Sequence, residues 1–255
     1  MEGFGLLDGV EDLLVDVGLE QVDQAAPGEL AAIGPVGDPE VAVSHRDKLL
    51  QLPAPFTGEP EVLLKTEDRF YQFIWKDDAI ALARDYWWNT RNTKTYVFSP
   101  NQSKPTRIIS DRSYQDRYSD PGSFVTRKNQ FFKDELVLDN NSAFLLGDGF
   151  TPDGQFPFLD KLNLETLETT RLYTSDMEGK YEDLREFNVN SNRLLVRIES
   201  KRDYPNYYFR QLDDKSLSQL TDFANPFESI QNVAKEVITY QRDDGLDLTG
   251  TLYLP

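Results

Sequence analysis

The residues that could do chemistry in this chain are few. Its 255 residues hold one histidine, His45, and no cysteine. Transition-metal sites draw on thiolates and imidazoles converging from several positions, so no metal and no cofactor is expected. His45 lies between Ser44 and Arg46 at the start of a strand, where a structural or solvated role is the plain reading. The turns Asp139-Asn140-Asn141 and Gly147-Asp148-Gly149 lack the spacing and the closing bidentate Glu of a calcium loop, and the second is too short for a phosphate loop. A Gly-x-Ser-x-Gly turn, which would expose a nucleophilic serine, does not occur; Gly122-Ser123 sits in a turn after Asp120-Pro121. With 44 acidic residues, neighbouring carboxylates such as Asp134-Glu135 and Asp213-Asp214 arise by chance, and nothing marks two of them as a glycosidase pair. The most suggestive cluster is basic: Arg112, Arg117 and Arg127 around the polar run 110–128. A guanidinium fork takes a carboxylate bidentately, and Asp111, Asp116 and Asp120 stand ready as internal partners for the same groups.

Composition narrows the function classes. The net charge is −17, which argues against a nucleic-acid binder, since that needs a basic face to neutralise phosphates. Residues 1–40 carry ten acids and no Lys or Arg, so −10 of the charge lies there and −7 is spread over the rest. No stretch approaches the ~18 consecutive apolar residues of a membrane-spanning helix, and the start, MEGFGLLDGV, lacks the basic region of a signal peptide. The compartment stays open, because a chain without cysteine suits an exported protein as well as an internal one.

The elements that must position any site are strands. Residues 1–40 form a divergent acidic leader, read either as a disordered segment or as residues foreign to the protein that follows. From residue 41 the pattern changes to short strands and turn clusters. Tyr71 to Trp75 alternates with period two, Asp77-Asp78 turns the chain, and Ala79 to Ala83 returns as a hairpin. Thr95 to Phe98 and Thr106 to Ile109 add two more strands. The last two strands of this unit recur as TYVFSPNQSKPTRIISD at 95–111, DKLNLETLETTRLYTSD at 160–176 and NYYFRQLDDKSLSQLTD at 206–222. Such spacing predicts an all-β fold, a partial β-propeller of about three four-stranded blades, over residues 41–232. A sandwich also has short strands, but it does not predict a recurring closing hairpin. Aromatic groups at Tyr86-Trp87-Trp88 and Tyr204 to Phe209 are expected chiefly in the core between blades, with a stacking platform as the alternative.

Residues 233–255 end the chain with KEVITYQRDDGLDLTGTLYLP from position 235, a hairpin turning at Asp243-Asp244-Gly245. Its Val237, Tyr240, Asp244, Gly245, Leu248, Gly250, Leu252, Tyr253 and Pro255 resemble the segment that opens the α/β-hydrolase domain in serine peptidases of the prolyl oligopeptidase family. The stretches at 45–70, 86–98, 110–122 and 197–210 are similar to the glutamyl endopeptidase-like branch of that family. The resemblance covers about residues 38–255. It implies a propeller that filters peptides for a Ser-Asp-His triad in the hydrolase domain, and peptides as the substrates of the intact parent. In a parent selecting acidic side chains, Arg112, Arg117 or Arg127 would meet the substrate carboxylate. None of the triad residues can be placed in this sequence, so this polypeptide alone is expected to be inactive. A free-standing propeller-like binding or scaffold protein is the alternative, and the terminal hairpin argues against it.

Overall fold

In the computed structural model, residues 21–23, 29–35, 38, 41–53, 55, 59–130, 132–230 and 233–254 are described. Among them nearly all regular structure is strand, and the one helical element is a 3-10 turn at Glu228–Ile230. None of these residues forms a helix long and apolar enough to cross a membrane. Two compact units divide the chain, Met1–Thr174 and Ser175–Pro255.

The first unit is built of mainly antiparallel sheets, most of whose strands follow one another in sequence. Strands β1 (Gln21–Asp23), β2 (Glu29–Pro35), β3 (Asp47–Pro53) and β4 (Glu61–Thr66) pair in that order. Most of the acidic leader lies outside the described residues, but its two described segments, β1 and β2, extend this sheet. The second sheet takes β5 (Arg69–Trp75), β6 (Ala81–Trp87), β7 (Asn92–Phe98) and β8 (Arg107–Ser113) in sequence order. Short strands β9 (Ser123–Phe124), β10 (Thr126–Lys128), β11 (Asp134–Leu136) and β12 (Leu138–Asp139) follow. Of these, β10 and β11 extend the second sheet, β11 pairing parallel to β5 through Glu135 and Trp75. The third sheet pairs β12, β13 (Ser142–Gly147), β16 (Phe158–Asn163) and β17 (Thr169–Thr174), with β9 beside β13; β14 (Phe150–Thr151) and β15 (Gly154–Gln155) make a small hairpin.

Alternation decides what lies between the sheets. On β6, Ala81 and Ala83 face one way with Tyr96 and Phe98 of β7, packing on Leu49, Leu63 and Leu64 of the first sheet. Leu82 and Val97 face the other way, onto Leu136, Ala143, Leu145 and Leu162. Burial of each such Leu or Phe contributes roughly 1.5–3 kcal/mol, so these two layers hold the three sheets face to face. This is how propeller blades pack.

Asp85 of β6 is completely buried on the face toward the first sheet. Its carboxylate accepts from the Asp68 amide (3.0 Å), the Lys94 amide (3.0 Å) and the Tyr96 hydroxyl (2.7 Å). Burial pushes the Asp85 carboxyl above its usual range, and these hydrogen bonds pull against it. Burial likewise lifts the Tyr96 hydroxyl, and its bond to Asp85 adds to the rise. Asp47 of β3 bridges the first two sheets, accepting from Arg69 (2.7 Å) and the Phe70 amide (2.6 Å).

In the second unit, β18 (Tyr181–Asn188), β19 (Arg193–Glu199), β20 (Asn206–Gln211) and β21 (Leu217–Gln219) form a four-stranded meander. A buried pair, Glu182 and Arg210 at 2.5 Å, ties its first strand to its third. The three recurring sequence segments are the last two strands of the second, third and fourth sheets, as the repeat predicts. Finally β22 (Ala234–Gln241) and β23 (Asp247–Leu254) pair over their whole length. Their turn is closed by Arg242 N to Leu246 O (2.9 Å) and Gly245 N to Arg242 O (2.8 Å), with Gly245 at φ 86°, which glycine adopts without strain.

Candidate functional site

A cleft of about 460 Å³ opens within the first unit, on the face of the second sheet that also carries Leu82 and Val97. Register places its floor. Arg84 of β6 stands opposite Thr95 of β7, which stands opposite Ser110 of β8. One row along, Tyr86 stands opposite Thr93, and Thr93 opposite Arg112. Because side chains alternate, both rows project from the same face. A register shift between Phe70 and Gln72 of β5 leaves Tyr71 out of the pairing and turns it to this side. Tyr71 meets Tyr86 edge-on (5.8 Å between centroids, 88°), and Tyr86 meets Tyr114 similarly (6.4 Å, 75°). These rings make an aromatic wall.

The facing wall is the segment Asp120 to Ser123. Gly122 sits at φ 89°, and a Cβ there would lie 2.4 Å from the Leu146 carbonyl oxygen, so only glycine lets this segment lie against β13. The Asp120 carboxylate accepts from the Gly122 amide (2.9 Å) and from Arg112 (2.7 Å). Arg112 also donates to the carbonyls of Ser113 and Asp116, both at 2.9 Å, and so fastens the loop beyond β8.

Arg84 is the other cation in the cleft. It forms no hydrogen bond and no ion pair with any described residue. Burial lowers the affinity of its guanidinium for the proton; the Arg112 charge acts the same way, while Asp120 and Tyr71 oppose it.

The three arginines singled out in the sequence occupy three different settings. Arg112 lines the cleft. Arg117 pairs with Asp148 (3.3 Å), lies over the Phe150 ring (3.8 Å) and borders a separate, open hollow with residues 150–155. Arg127 of β10 pairs with Glu135 (3.2 Å), its register partner on β11. Asp120 is thus an internal partner for Arg112, as one reading of the cluster has it, whereas Arg117 and Arg127 reach acids further along the chain. Arg84 escaped the sequence reading because the return strand was ended at Ala83. Carrying the Leu82 alternation two steps further puts Arg84 and Tyr86 on one face, and that was the available signal. Tyr86 serves the cleft wall, while Trp88 is exposed with Arg91 stacked over it at 3.6 Å. His45 bonds the Ser44 hydroxyl through Nδ1 at 3.1 Å.

No protein-family model matches the chain. Over 236 residues it is 37% identical to a protein of Oryza sativa subsp. japonica named "Probable glutamyl endopeptidase, chloroplastic", covering 86% of this chain and 25% of that one. Over 237 residues it is 38% identical to a protein of the same name from Arabidopsis thaliana, with the same coverage of 86% and 25%. The chain therefore spans about a quarter of the length of these curated relatives. Among solved structures, a dipeptidyl aminopeptidase IV candidate from Bacteroides ovatus aligns with a TM-score of 0.50 at 14% identity. That alignment covers 93% of this chain and 34% of the other, a likeness of fold alone. The recurring hairpins and the blade-like stacking agree with that fold, and over most of its length the chain is similar to about a quarter of these proteins named glutamyl endopeptidase.

Proposed function

We propose that these sheets act as the propeller portion of a glutamyl endopeptidase-like serine peptidase, admitting peptides to a catalytic domain and excluding bulkier chains. What carries the reading is the sequence identity of 37–38% across 86% of the chain, joined to blades in sequence order and the hairpin β22–β23. In the prolyl oligopeptidase family that hairpin's pattern leads into the hydrolase domain. The 255 residues hold no Gly-x-Ser-x-Gly, and their one histidine lies near the start, so they assemble no Ser-Asp-His triad and are not catalytic alone. Arg112, Arg117 and Arg127 remain the proposed substrate contacts, and Arg112 is the one that lines the cleft. The test is a fluorophosphonate probe, which labels activated serines, applied with a fluorogenic peptide. The isolated chain is expected to show neither labelling nor hydrolysis. Labelling of any serine in it would overturn the reading.

A further inference from the structure

We infer that Asp153-Gly154, at the turn of the hairpin β14–β15, is a self-modification site at which the backbone rearranges from the ordinary α-linkage to a β-aspartyl linkage. The inference does not rest on the peptidase reading, and the turn lies outside the cleft described above.

The rearrangement needs only the chain and water. The glycine amide nitrogen attacks the side-chain carboxyl carbon of the aspartic acid. A C–N bond forms, closing a succinimide ring, and the carboxyl hydroxyl leaves with the amide proton as water. Water then adds to either ring carbonyl. Opening at the side-chain carbonyl restores aspartate, whereas opening at the main-chain carbonyl leaves the chain running through Cβ and Cγ. Glycine is the favourable neighbour, because it brings no Cβ to crowd the attacking nitrogen. The reactive carboxyl is the neutral one, so a cation that holds it ionised protects it.

The described residues contain three such pairs, Asp148-Gly149, Asp153-Gly154 and Asp244-Gly245, and the structure separates them. Asp244 accepts from both Nε (2.8 Å) and Nη2 of Arg242 and from the Leu246 amide (3.3 Å). Arg242 thereby holds the Asp244 carboxyl below the usual carboxylate range. The Gly245 amide is engaged as well, donating to the Arg242 carbonyl at 2.8 Å. Asp148 is paired with Arg117 (3.3 Å), which is itself stacked on Phe150. Gly149 is packed so closely that a Cβ would lie 1.8 Å from the Phe156 carbonyl oxygen, which leaves its backbone little room to swing.

Asp153 has none of these restraints. Its carboxylate is exposed and makes no hydrogen bond or ion pair with any described residue. The turn is held through other atoms: Asp153 N donates to Thr151 Oγ1 (3.2 Å), and that hydroxyl donates to Gly154 O (3.0 Å). Gly154 sits at φ 145°, and a Cβ there would meet nothing nearer than the Phe156 ring at 3.6 Å. Strands β14 and β15 are two residues each and pair only with one another, so the turn opens at small cost. A β-linked residue lengthens the backbone between Pro152 and Gly154. The pairings Phe150 to Gln155 and Thr151 to Gly154 then cannot both keep their register.

The test ages the full chain, folded at neutral pH and physiological temperature, beside the same chain unfolded in urea. Peptide mapping that resolves aspartyl from β-aspartyl isomers reads each site. In urea the three pairs should react at similar rates, since each is an aspartate before a glycine. In the folded chain Asp153 is expected to lead Asp244 by about tenfold, the worth of one or two modest hydrogen bonds, and Asp148 by several-fold. Mild acid should trap a succinimide, one water lighter, at Asp153. Arg242→Gln should bring Asp244 up toward Asp153 and leave the rate at Asp153 unchanged. Asp244 or Asp148 converting as fast as Asp153 in the folded chain overturns the inference. So does an Asp153 that stays α-linked in the folded chain while it converts in urea.

Discussion

Replacing Asp85 by leucine should damage the fold far more than its small side chain suggests. The carboxylate accepts from Asp68 N, Lys94 N and the Tyr96 hydroxyl, and the residue is completely buried. Leucine matches its bulk but leaves three donors without a partner away from water. Each orphaned buried donor costs about 1–3 kcal/mol, while removal of a buried charge and gain of apolar burial offset part of the sum. A net loss of about 3 kcal/mol is the working figure, equivalent to a fall of roughly 6–12 °C in Tm for a chain of this size. Tyr96→Phe removes one donor and leaves the carboxylate two, so it should cost about 1 kcal/mol. The double variant should be less destabilised than the two single losses combined, by about 1 kcal/mol, because the hydroxyl orphaned by leucine is then gone. Thermal and urea unfolding of the four proteins gives the cycle. A melting point for Asp85→Leu within about 2 °C of wild type, or a coupling of zero, would refute the claim that this carboxylate pins β5, β6 and β7 together. Arg84 and Tyr86, which line the cleft, project from the opposite face of the strand it fixes.

Three further outcomes are expected. Burial opposes ionisation of Glu135, but hydrogen bonds and charge from Lys76 and Arg127 outweigh it and hold its carboxyl below the ordinary value of 4.5. A depressed folded value means stability present at neutral pH and lost as pH falls below 4.5 toward the lower folded value. Urea unfolding across pH should therefore show Glu135→Gln less stable than wild type at neutral pH and converging with it in acid. Gly122→Ala should cost about 2 kcal/mol or more by calorimetry, since its φ is 89° and the added Cβ meets a backbone oxygen at 2.4 Å. Arg112→Gln should free the loop holding exposed Tyr118, and limited chymotrypsin digestion should cut there several-fold faster than in wild type.

Strand positions were legible wherever polar and apolar residues alternate without interruption. Residues 71–75, 95–98 and 193–198 read as strands in the sequence and are strands in the structure. Strand β6 was cut short because Arg84 and Asp85 look like loop residues. Asp85 is tolerated inside only through donors supplied by β7 and by the residue before β5, and such partnerships do not show in local sequence. The sheet of β1 to β4 was not separated, since the glycine- and alanine-containing β2 has little pattern of its own and draws its place from pairing with β3. The arginine cluster was visible as composition, whereas its partners were not. Arg117 finds Asp148, 31 residues away, and Arg112 finds Asp120, because the register of β7 and β8 and the path of the following loop decide which acid each can reach. Arg84, which lines the cleft, was hidden by the same misplaced strand end. The resemblance to a family, in contrast, rested on motifs at fixed spacing, and these survive in a single sequence.

The central claim is that this propeller portion selects peptides by size, and one rate ratio tests it most directly. Cleavage of a short uncharged-flanked peptide and of a long unfolded polypeptide bearing the same site would be compared in an intact glutamyl endopeptidase-like protein carrying this segment. The comparison would be repeated with Asp85→Leu loosening the second sheet. The account predicts strong preference for the short substrate in the wild type, and a gain in cleavage of the long one, with the short one little changed, in the variant. Equal rates on both substrates in the wild-type enzyme would contradict it.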